Sequence, residues 1–169
     1  VRYYGKWMRD EAFRRIGHLY PKVKAPDGTE HTVIAWIWAR TVRSPNPANP
    51  MEVPLVRSWW LSKKKGKEAW VRAIVQEGRV HYEAVHDSIG PADDGTINRK
   101  GAVSVADGTP IGFDHIRSES RAGRMGADLI AVVAEGPHGR LYISPTAEHT
   151  KAAEVPRPEG LSGAELPEQ

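Results

Sequence analysis

The sequence contains no cysteine among its 169 residues. This absence excludes a disulfide scaffold and a cysteine nucleophile. No apolar run approaches the roughly 20 residues that a helix needs to cross a bilayer, and the opening stretch is charged throughout, unlike a signal peptide. The sequence therefore predicts a cytoplasmic protein with no membrane partner.

The residues that are present favour a folded chain built from short elements. Six tryptophans and 40% apolar residues supply material for a core, while 13 prolines and 16 glycines indicate many turns. The length suits one domain or two small ones. A net charge of +3 and a pI near 9.2 are compatible with a polyanionic partner but do not require one.

The pattern of apolar residues predicts an α+β fold. Apolar residues recur at helical spacing over 3–19, and Pro21 ends the helix. Many short strands follow without a βαβ alternation, which is typical of a mostly antiparallel sheet. We expect the N-terminal helix in 1–24, an antiparallel β region in 25–145, and a short late helix with a proline-rich acidic linker in 146–169.

Several strands can be placed from the same pattern. Residues 32–42 are apolar on both faces over their centre, as in a buried strand. Residues 52–62 are interpreted as one further strand. The segments 68–76 and 79–87 predict a hairpin around Glu77-Gly78.

The later part of the chain is less regular. Residues 88–101 are rich in turn formers and predict a loop, and the Arg-rich stretch 113–126 is compatible with either a helix or a loop. The segments 127–135 and 140–145 predict two strands around a Gly-Pro-His-Gly turn. Ser144-Pro145 is typical of an N-cap followed by a first-turn proline.

Two turns have the outline of metal-binding knuckles. In "SPNPANP", Ser44 and Asn49 bracket a proline-rich turn, and in "KGAVSVADGTPI", Ser104 and Asp107 precede Gly108. Structural zinc sites commonly take two ligand pairs from turns of this kind. Ser-x-x-Asp-Gly is also an ordinary turn sequence, so the spacing alone leaves the plain-turn interpretation open.

Longer stretches of the chain resemble a known family. They are "YYGKWMRDEAFRRIGHLYP", "TVIAWIWARTV", "PLVRSWWLSKKKGKEAWV", "FDHIRSESRAGRMGADLIAVVAEG" and "LYISPTAEH". In this order they are similar to an internal segment of the large bacterial adenine-specific DNA methylases that begin with a conserved domain of unknown function. The resemblance covers nearly the whole chain, and we expect the chain, which opens with valine, to be an excised piece of such a protein.

The resemblance implies a zinc ribbon that has lost its ligands. The family carries two cysteine pairs in this region, and they fall on Ser44, Asn49, Ser104 and Asp107, all of which depart from the pattern. One carboxylate with three neutral side chains does not replace four thiolates. We therefore expect no zinc and a degenerate, metal-free end of the β region, in which Gly108 still permits the turn.

The resemblance also implies an activity that this chain does not carry alone. The family transfers a methyl group from S-adenosylmethionine to the N6 amine of adenine in DNA. Its glycine-rich cofactor loop and its Asp/Asn-Pro-Pro-aromatic tetrapeptide are both missing here. We expect no catalytic and no cofactor-binding residue. The expected partners are DNA and the catalytic domain of the same polypeptide, and the expected setting is restriction-modification or phage defence.

Two groups of basic residues are candidates for contact with DNA phosphates, since clustered lysine and arginine give salt-dependent binding. They are Arg57, Lys63, Lys64, Lys65 and Lys67 around one strand and turn, and Arg117, Arg121 and Arg124 in the Arg-rich stretch. The lysines are also typical of a solubilising loop tip, and the arginines also suit packing against a catalytic core. Trp59, Trp60 and Tyr82 would stack bases if exposed, although at least one tryptophan of the pair is expected in the core.

Three other interpretations stay open at this stage. The chain is alternatively a structural interaction module without nucleic-acid contact, or a stand-alone nucleic-acid-binding protein with a degenerate zinc ribbon. A hydrolase is the weakest alternative: His86-Asp87 and Asp114-His115 suggest one, but no nucleophile elbow or paired carboxylates accompany them.

Overall fold

A computed structural model describes residues 2–24, 28–136 and 139–154. The helices are α1 (Arg2–Ile16), followed by a 3-10 turn (Gly17–Leu19), α2 (Phe113–Arg121) and α3 (Ala147–Ala153). The strands are β1 (Lys22–Lys24), β2 (Glu30–Arg43), β3 (Glu52–Leu55), β4 (Trp60–Ser62), β5 (Ala69–Gln76), β6 (Arg79–Val85), β7 (Ile97–Asn98), β8 (Gly101–Val103), β9 (Pro110–Gly112), β10 (Gly126–Gly136) and β11 (Gly139–Ile143). No helix in these ranges is both long and apolar enough to cross a membrane.

Three antiparallel sheets form the body of the fold. The largest runs in the order β1-β2-β10-β11, with β3 paired to the C-terminal half of β2. A second sheet consists of β4, β5 and β6, and a third of β7, β8 and β9. Every strand pair among the described residues is antiparallel. The prediction of an α+β fold with an N-terminal helix, antiparallel sheets and a short late helix is confirmed.

The predicted hairpin over 68–87 is present as β5 and β6. Glu77 and Gly78, which connect these strands, have φ values of 51° and 73°. Two consecutive residues with positive φ make the turn that matches the right-handed twist of paired strands. The dipeptide seen in the sequence therefore fixes the register Gln76↔Arg79.

The single strand predicted over 52–62 is wrong. It is two strands in different sheets, because the linker between them is held by other partners. The hydroxyl of Thr96 accepts a hydrogen bond from the Val56 N–H at 2.8 Å and donates to the Pro54 carbonyl at 2.6 Å. Trp59 N–H then donates to the Asp94 carbonyl at 2.8 Å. These bonds redirect the chain from the first sheet to the second.

Two smaller predictions also need correction. The predicted loop 88–101 contains β7, which pairs with β8. Ser144 is not the N-cap of α3, because its hydroxyl accepts from the Ala84 N–H at 2.9 Å. Thr146 is the cap: its hydroxyl accepts from the His149 N–H, and Nδ1 of His149 accepts from the Thr146 N–H at 3.1 Å. The Arg-rich stretch 113–126 is helical over α2, and 155–169 of the predicted linker lies outside the described residues.

The apolar centre of β2 is less buried than its sequence predicts. Ile34 and Trp38 remain 43% and 42% exposed. Ile34 lies at an irregularity in the pairing with β10, so the alternation of faces does not run unbroken through it. Trp36 is covered in part by α3, because its indole donates to the His149 carbonyl at 3.1 Å, whereas α1 contains no buried residue.

Apolar residues collect in three clusters, two between sheets and one within the large sheet. The first joins the large sheet to the β5–β6 hairpin through Ala39, Val56, Trp59, Val71, Ile130 and Ala131. The second lies within the large sheet and contains Val23, Val33, Leu129, Val132 and Ala134. The third joins β2 and β3 to the small β7–β9 sheet through Val42, Met51, Val53, Ala102 and Ile111. This last cluster positions the two knuckle-like turns.

Candidate functional site

The two knuckle-like turns lie side by side. Nδ2 of Asn46, in the first turn, donates hydrogen bonds to Oδ2 of Asp107 at 2.9 Å and to Oγ1 of Thr109 at 3.4 Å, both in the second turn. Nδ2 of Asn49 lies 3.5 Å from the same Asp107 oxygen. A carboxylate on one turn therefore binds two amides on the other, which are 61 and 58 residues away in sequence.

Asp107 also organises its own turn. Its Oδ1 accepts a hydrogen bond from the Thr109 N–H at 3.0 Å, and the Ser104 hydroxyl donates to the same carboxylate. These donors, the Thr109 N–H foremost, hold the pKa of the Asp107 carboxyl well below its usual range. The carboxylate is therefore ionised at neutral pH and is the shared acceptor of both turns.

Ser44 and Ser104 have equivalent places in the two turns. Both are buried. The Oγ of each accepts a hydrogen bond from the N–H two residues later, from Asn46 to Ser44 at 3.2 Å and from Ala106 to Ser104 at 3.3 Å. Each also donates its own N–H, at 2.9 Å, to a carbonyl on the return side of its turn. The same residue type thus makes the same turn twice.

The structure brings together all four positions where the resemblance places cysteines. We call the cluster of Ser44, Asn46, Asn49, Ser104 and Asp107 the polar cross-link. Its side chains do not fit zinc, because the hydroxyls and amides are neutral and the single carboxylate already accepts several hydrogen bonds. In 2–24, 28–136 and 139–154, no three histidine, aspartate or glutamate side chains are grouped as metal ligands. That these turns derive from a zinc ribbon stays a prediction.

Residues 63–68 connect β4 and β5. Lys63, Lys64, Lys65, Gly66 and Lys67 are called here the lysine turn, and Glu68 follows them. All four lysine side chains are exposed. The Lys67 N–H donates to the Lys64 carbonyl at 2.8 Å, and Gly66 has a φ of 74° that favours glycine. Within the described part of the chain, Lys63, Lys64 and Lys65 form no ion pair with a carboxylate.

The Trp60 ring contacts the first residue of the lysine turn. Nζ of Lys63 lies 5.5 Å from the centroid of the Trp60 ring, within the range of a cation–π contact. The α-carbon of Gly90 packs against the same ring so closely that an added Cβ would lie 2.3 Å from Cζ2 of Trp60. Trp60 is half-buried and Trp59 is buried, so the expectation that one tryptophan of the pair belongs to the core is confirmed.

The other predicted basic residues lie elsewhere. Arg57 is exposed in the linker before β4, whereas Arg117, Arg121 and Arg124 belong to α2 and the turn after it, which pack near β2, β8 and β9. Arg124 forms a two-bonded ion pair with Glu119, with distances of 2.8 and 2.6 Å. This pair raises the pKa of Arg124 and lowers that of Glu119.

The arginines of α2 are therefore partly engaged within their own segment. Arg117 lies 3.2 Å from an Asp114 carboxylate oxygen and stacks near the Phe113 ring, 5.8 Å from its centroid. Arg121 is exposed and forms no ion pair within the described ranges. The two basic groups that the sequence proposes thus belong to different elements: the lysine turn connects two strands of the second sheet, whereas the arginines lie in α2 and the turn after it. Lys63, Lys64 and Lys65 form no ion pair among the described residues, whereas Arg117 and Arg124 each hold a carboxylate.

The two His/Asp dipeptides are not brought together as catalytic pairs. His86 Nε2 lies 2.8 Å from the Tyr142 carbonyl, while the Asp87 carboxylate accepts from the Trp70 indole at 2.9 Å. His115 Nε2 lies 2.9 Å from the Arg43 carbonyl. Each of these side chains has a partner that ties two segments of the fold together, which is a structural role.

A groove of about 620 Å³ runs between the β5–β6 hairpin, β10 and the start of α3. In it, Tyr82 donates a 2.8 Å hydrogen bond to Oδ2 of Asp128. Burial, together with the Asp128 carboxylate, raises the pKa of the Tyr82 hydroxyl. The pair could not be found in the sequence, since 46 residues separate its members. Because Tyr82 is half-buried and bonded, it is not a free stacking surface.

Helix α1 carries large apolar side chains that the rest of the described residues leave exposed. It contains no buried residue. Tyr3, Tyr4, Trp7, Met8 and Phe13 are between 58% and 76% exposed. Exposed groups of large apolar side chains commonly mark surfaces that contact another protein.

Comparison with known proteins adds no relative. No protein-family model, no curated protein and no solved structure matches the chain significantly.

Proposed function

We propose that the chain is a non-catalytic segment of an adenine-specific N6 DNA methyltransferase, and that its lysine turn contacts the phosphate backbone of the DNA. The observation that carries the contact is the exposure of Lys63, Lys64 and Lys65 without a carboxylate partner in the described residues. Cations that are not neutralised within the protein are available to replace the counterions of DNA. The methylase identity rests on the sequence resemblance.

The setting of the turn supports this role. Its two strands belong to a three-stranded sheet, and Lys63 lies over the Trp60 ring, against which Gly90 packs. Because the turn is anchored at both ends by paired strands, less conformational entropy is lost when its lysines bind DNA. The α2 arginines are weaker candidates, because Arg117 and Arg124 already hold carboxylates.

S-adenosylmethionine supplies the methyl group in this proposal and is bound by the remainder of the parent polypeptide. The residues of this chain do not fit it, because the glycine-rich loop that cradles such a cofactor is missing from the sequence. The work proposed for this chain is to hold DNA through phosphates. A bacterial cytoplasm, with a role in restriction-modification or phage defence, is the setting that the resemblance favours.

The test is binding to a short DNA duplex at low salt, measured by fluorescence anisotropy. We expect the wild-type chain to bind, and the triple variant Lys63→Ala, Lys64→Ala, Lys65→Ala to bind at least about tenfold more weakly. A matched control removes three exposed cations elsewhere: Arg99→Ala, Lys100→Ala, Lys151→Ala. Equal weakening by both triples would show that only net charge matters, and an absence of binding by the wild type would reject the contact.

A second role, bracing the catalytic domain, is favoured by helix α1. The exposed side chains of Tyr3, Tyr4 and Trp7 on this helix are expected to be buried against another part of the parent enzyme. The triple variant Tyr3→Ser, Tyr4→Ser, Trp7→Ser should lose binding to the remaining methyltransferase polypeptide supplied separately, while its DNA affinity stays unchanged. Phe113→Ser, on α2, is the control. Undiminished binding by the triple variant would reject bracing through α1.

A further inference from the structure

Ile89 is the most exposed large apolar residue in the described part of the chain, at 88%, followed by Tyr3 at 76%. It lies in the loop after β6, beside the second sheet. A single exposed apolar residue is common on protein surfaces, so its exposure alone indicates nothing. Two further observations suggest a role for Ile89: the hydrogen bonds that hold its loop, and the position of Lys63 on the tryptophan against which that loop packs.

The loop is built to hold Ile89 outward. Oδ1 of Asp87 accepts hydrogen bonds from the N–H groups of Ile89 and Gly90 at 3.0 and 3.2 Å. The same oxygen accepts from the Trp70 indole at 2.9 Å, which fixes the carboxylate to β5. The backbone that carries Ile89 is therefore fixed by hydrogen bonds, while its side chain is 88% exposed.

The loop and the lysine turn share one support. Gly90, the residue after Ile89, packs against the Trp60 ring with a φ of 82°, a conformation that favours glycine. Lys63 Nζ lies 5.5 Å from the centroid of that ring. The residue that follows the exposed isoleucine and the first lysine of the lysine turn thus lie against the same tryptophan ring.

We propose that Ile89 is a wedge that inserts between stacked bases of DNA when the lysine turn binds the neighbouring phosphates. Proteins that kink or unstack DNA use apolar side chains in this way, next to cations that contact the backbone. Local unstacking also makes it easier to extrude a base for chemistry. The inference rests on the proposed DNA contact of the lysine turn and adds the group that deforms the duplex.

An anionic membrane is the competing partner for an apolar tip beside lysines. Stable attachment to a bilayer takes a broad apolar face or two anchoring signals. One isoleucine on a loop supplies neither. A wedge needs only one side chain, because it acts at a single base step. The observations therefore favour DNA.

The experiment uses a short duplex with 2-aminopurine in place of one adenine, since the fluorescence of this base rises when it unstacks. We expect the wild-type chain to raise the fluorescence, and Ile89→Ala to abolish most of the rise and to weaken binding about tenfold, the scale of burying one aliphatic side chain. The salt dependence of binding should stay unchanged, because no cation is removed. Ile34→Ala, which truncates an isoleucine that is 43% exposed on β2, is the control.

The outcomes separate this inference from the proposed function. Salt-dependent binding by the wild type without a fluorescence rise, or an equal rise with Ile89→Ala, overturns the wedge and leaves the phosphate contact in place. An absence of salt-dependent binding overturns both. Binding to phosphatidylserine vesicles that requires Ile89, with no fluorescence rise on DNA, overturns the wedge in favour of a membrane. Because Ile89 is exposed, thermal melts of the variant should match those of the wild type.

Discussion

Asn46 Nδ2 and Asp107 Oδ2 are 2.9 Å apart and join two turns that are 61 residues apart in sequence. The two serines of the polar cross-link close their turns by the same bond to the N–H two residues on. A hydrogen-bonded cluster therefore fixes one turn against the other. Its only ionised member is Asp107, so the strength of the contact depends on pH and on the amide donors of Asn46 and Asn49.

The contact between the turns predicts a measurable stability change. Asn46→Ala removes a hydrogen bond to an ionised acceptor and should lower the free energy of unfolding by about 1 kcal/mol. Asn98→Ala is the matched control, because Asn98 accepts only a local turn bond from the Lys100 N–H at 2.8 Å. Urea unfolding measures both changes. An Asn46 effect no larger than that of Asn98 would show that the turns are held by other forces.

The pH dependence follows from Asp107. Its pKa is lowered in the folded chain, so the unfolded chain binds the proton more readily. The stabilisation is complete above the ordinary carboxyl value, about 3.9, and is lost as the pH falls towards the lower folded value. Asp107→Asn should be less stable than the wild type at neutral pH, and the difference should narrow below about pH 4. Urea melts across this range test it, and a constant difference would contradict the ionised cross-link.

Gly90 is expected to be irreplaceable for two separate reasons. Its φ is 82°, and an added Cβ would lie 2.3 Å from the Trp60 ring. Gly90→Ala should therefore destabilise the chain by about 2 kcal/mol or more. Gly66→Ala is the control with φ 74° and open space around the added Cβ, and should cost only about 1 kcal/mol. Equal costs in thermal or chemical melts would argue against the close contact with Trp60.

The resemblance to zinc-ribbon turns can be tested by restoring the ligands. The quadruple variant Ser44→Cys, Asn49→Cys, Ser104→Cys, Asp107→Cys places four thiols where the two turns meet. We expect it to bind about one zinc per chain and to show thiolate-to-cobalt absorption bands with Co²⁺. The double variant Ser104→Cys, Asp107→Cys supplies only half of the site and should bind much more weakly. Failure of the quadruple variant to bind either metal would count against the zinc-ribbon origin.

Local sequence patterns predicted much of the fold, and long-range contacts account for most of what they missed. The spacing over 3–19 and Glu77-Gly78 determine a helix and a hairpin through neighbouring residues alone. The break after Leu55 could not be predicted, because it depends on hydrogen bonds to Thr96 and Asp94 about 40 residues away. The exposure of Ile34 and Trp38 on β2 likewise depends on which elements pack against the strand, and the local pattern does not specify these elements.

The candidate sites divide in the same way. Ser44, Asn49, Ser104 and Asp107 were found from their spacing and the family resemblance, and the structure brings them together. Asn46 was missed, although it provides the shortest bond between the turns. Ile89 was missed because an isolated isoleucine in a loop has no sequence signature. The proposed role of Ile89 depends on the contact of Gly90 and Lys63 with Trp60, and no local sequence pattern predicts that contact.

The salt dependence of DNA binding tests the central claim most directly. We predict that log K for a short duplex falls linearly with log salt concentration, and that Lys63→Ala, Lys64→Ala, Lys65→Ala reduces the slope by about 2.7, three phosphates at about 0.9 each. The control triple Arg99→Ala, Lys100→Ala, Lys151→Ala should leave the slope unchanged. A slope that is the same in the wild type and the lysine variant would contradict the proposal that this turn contacts the DNA backbone.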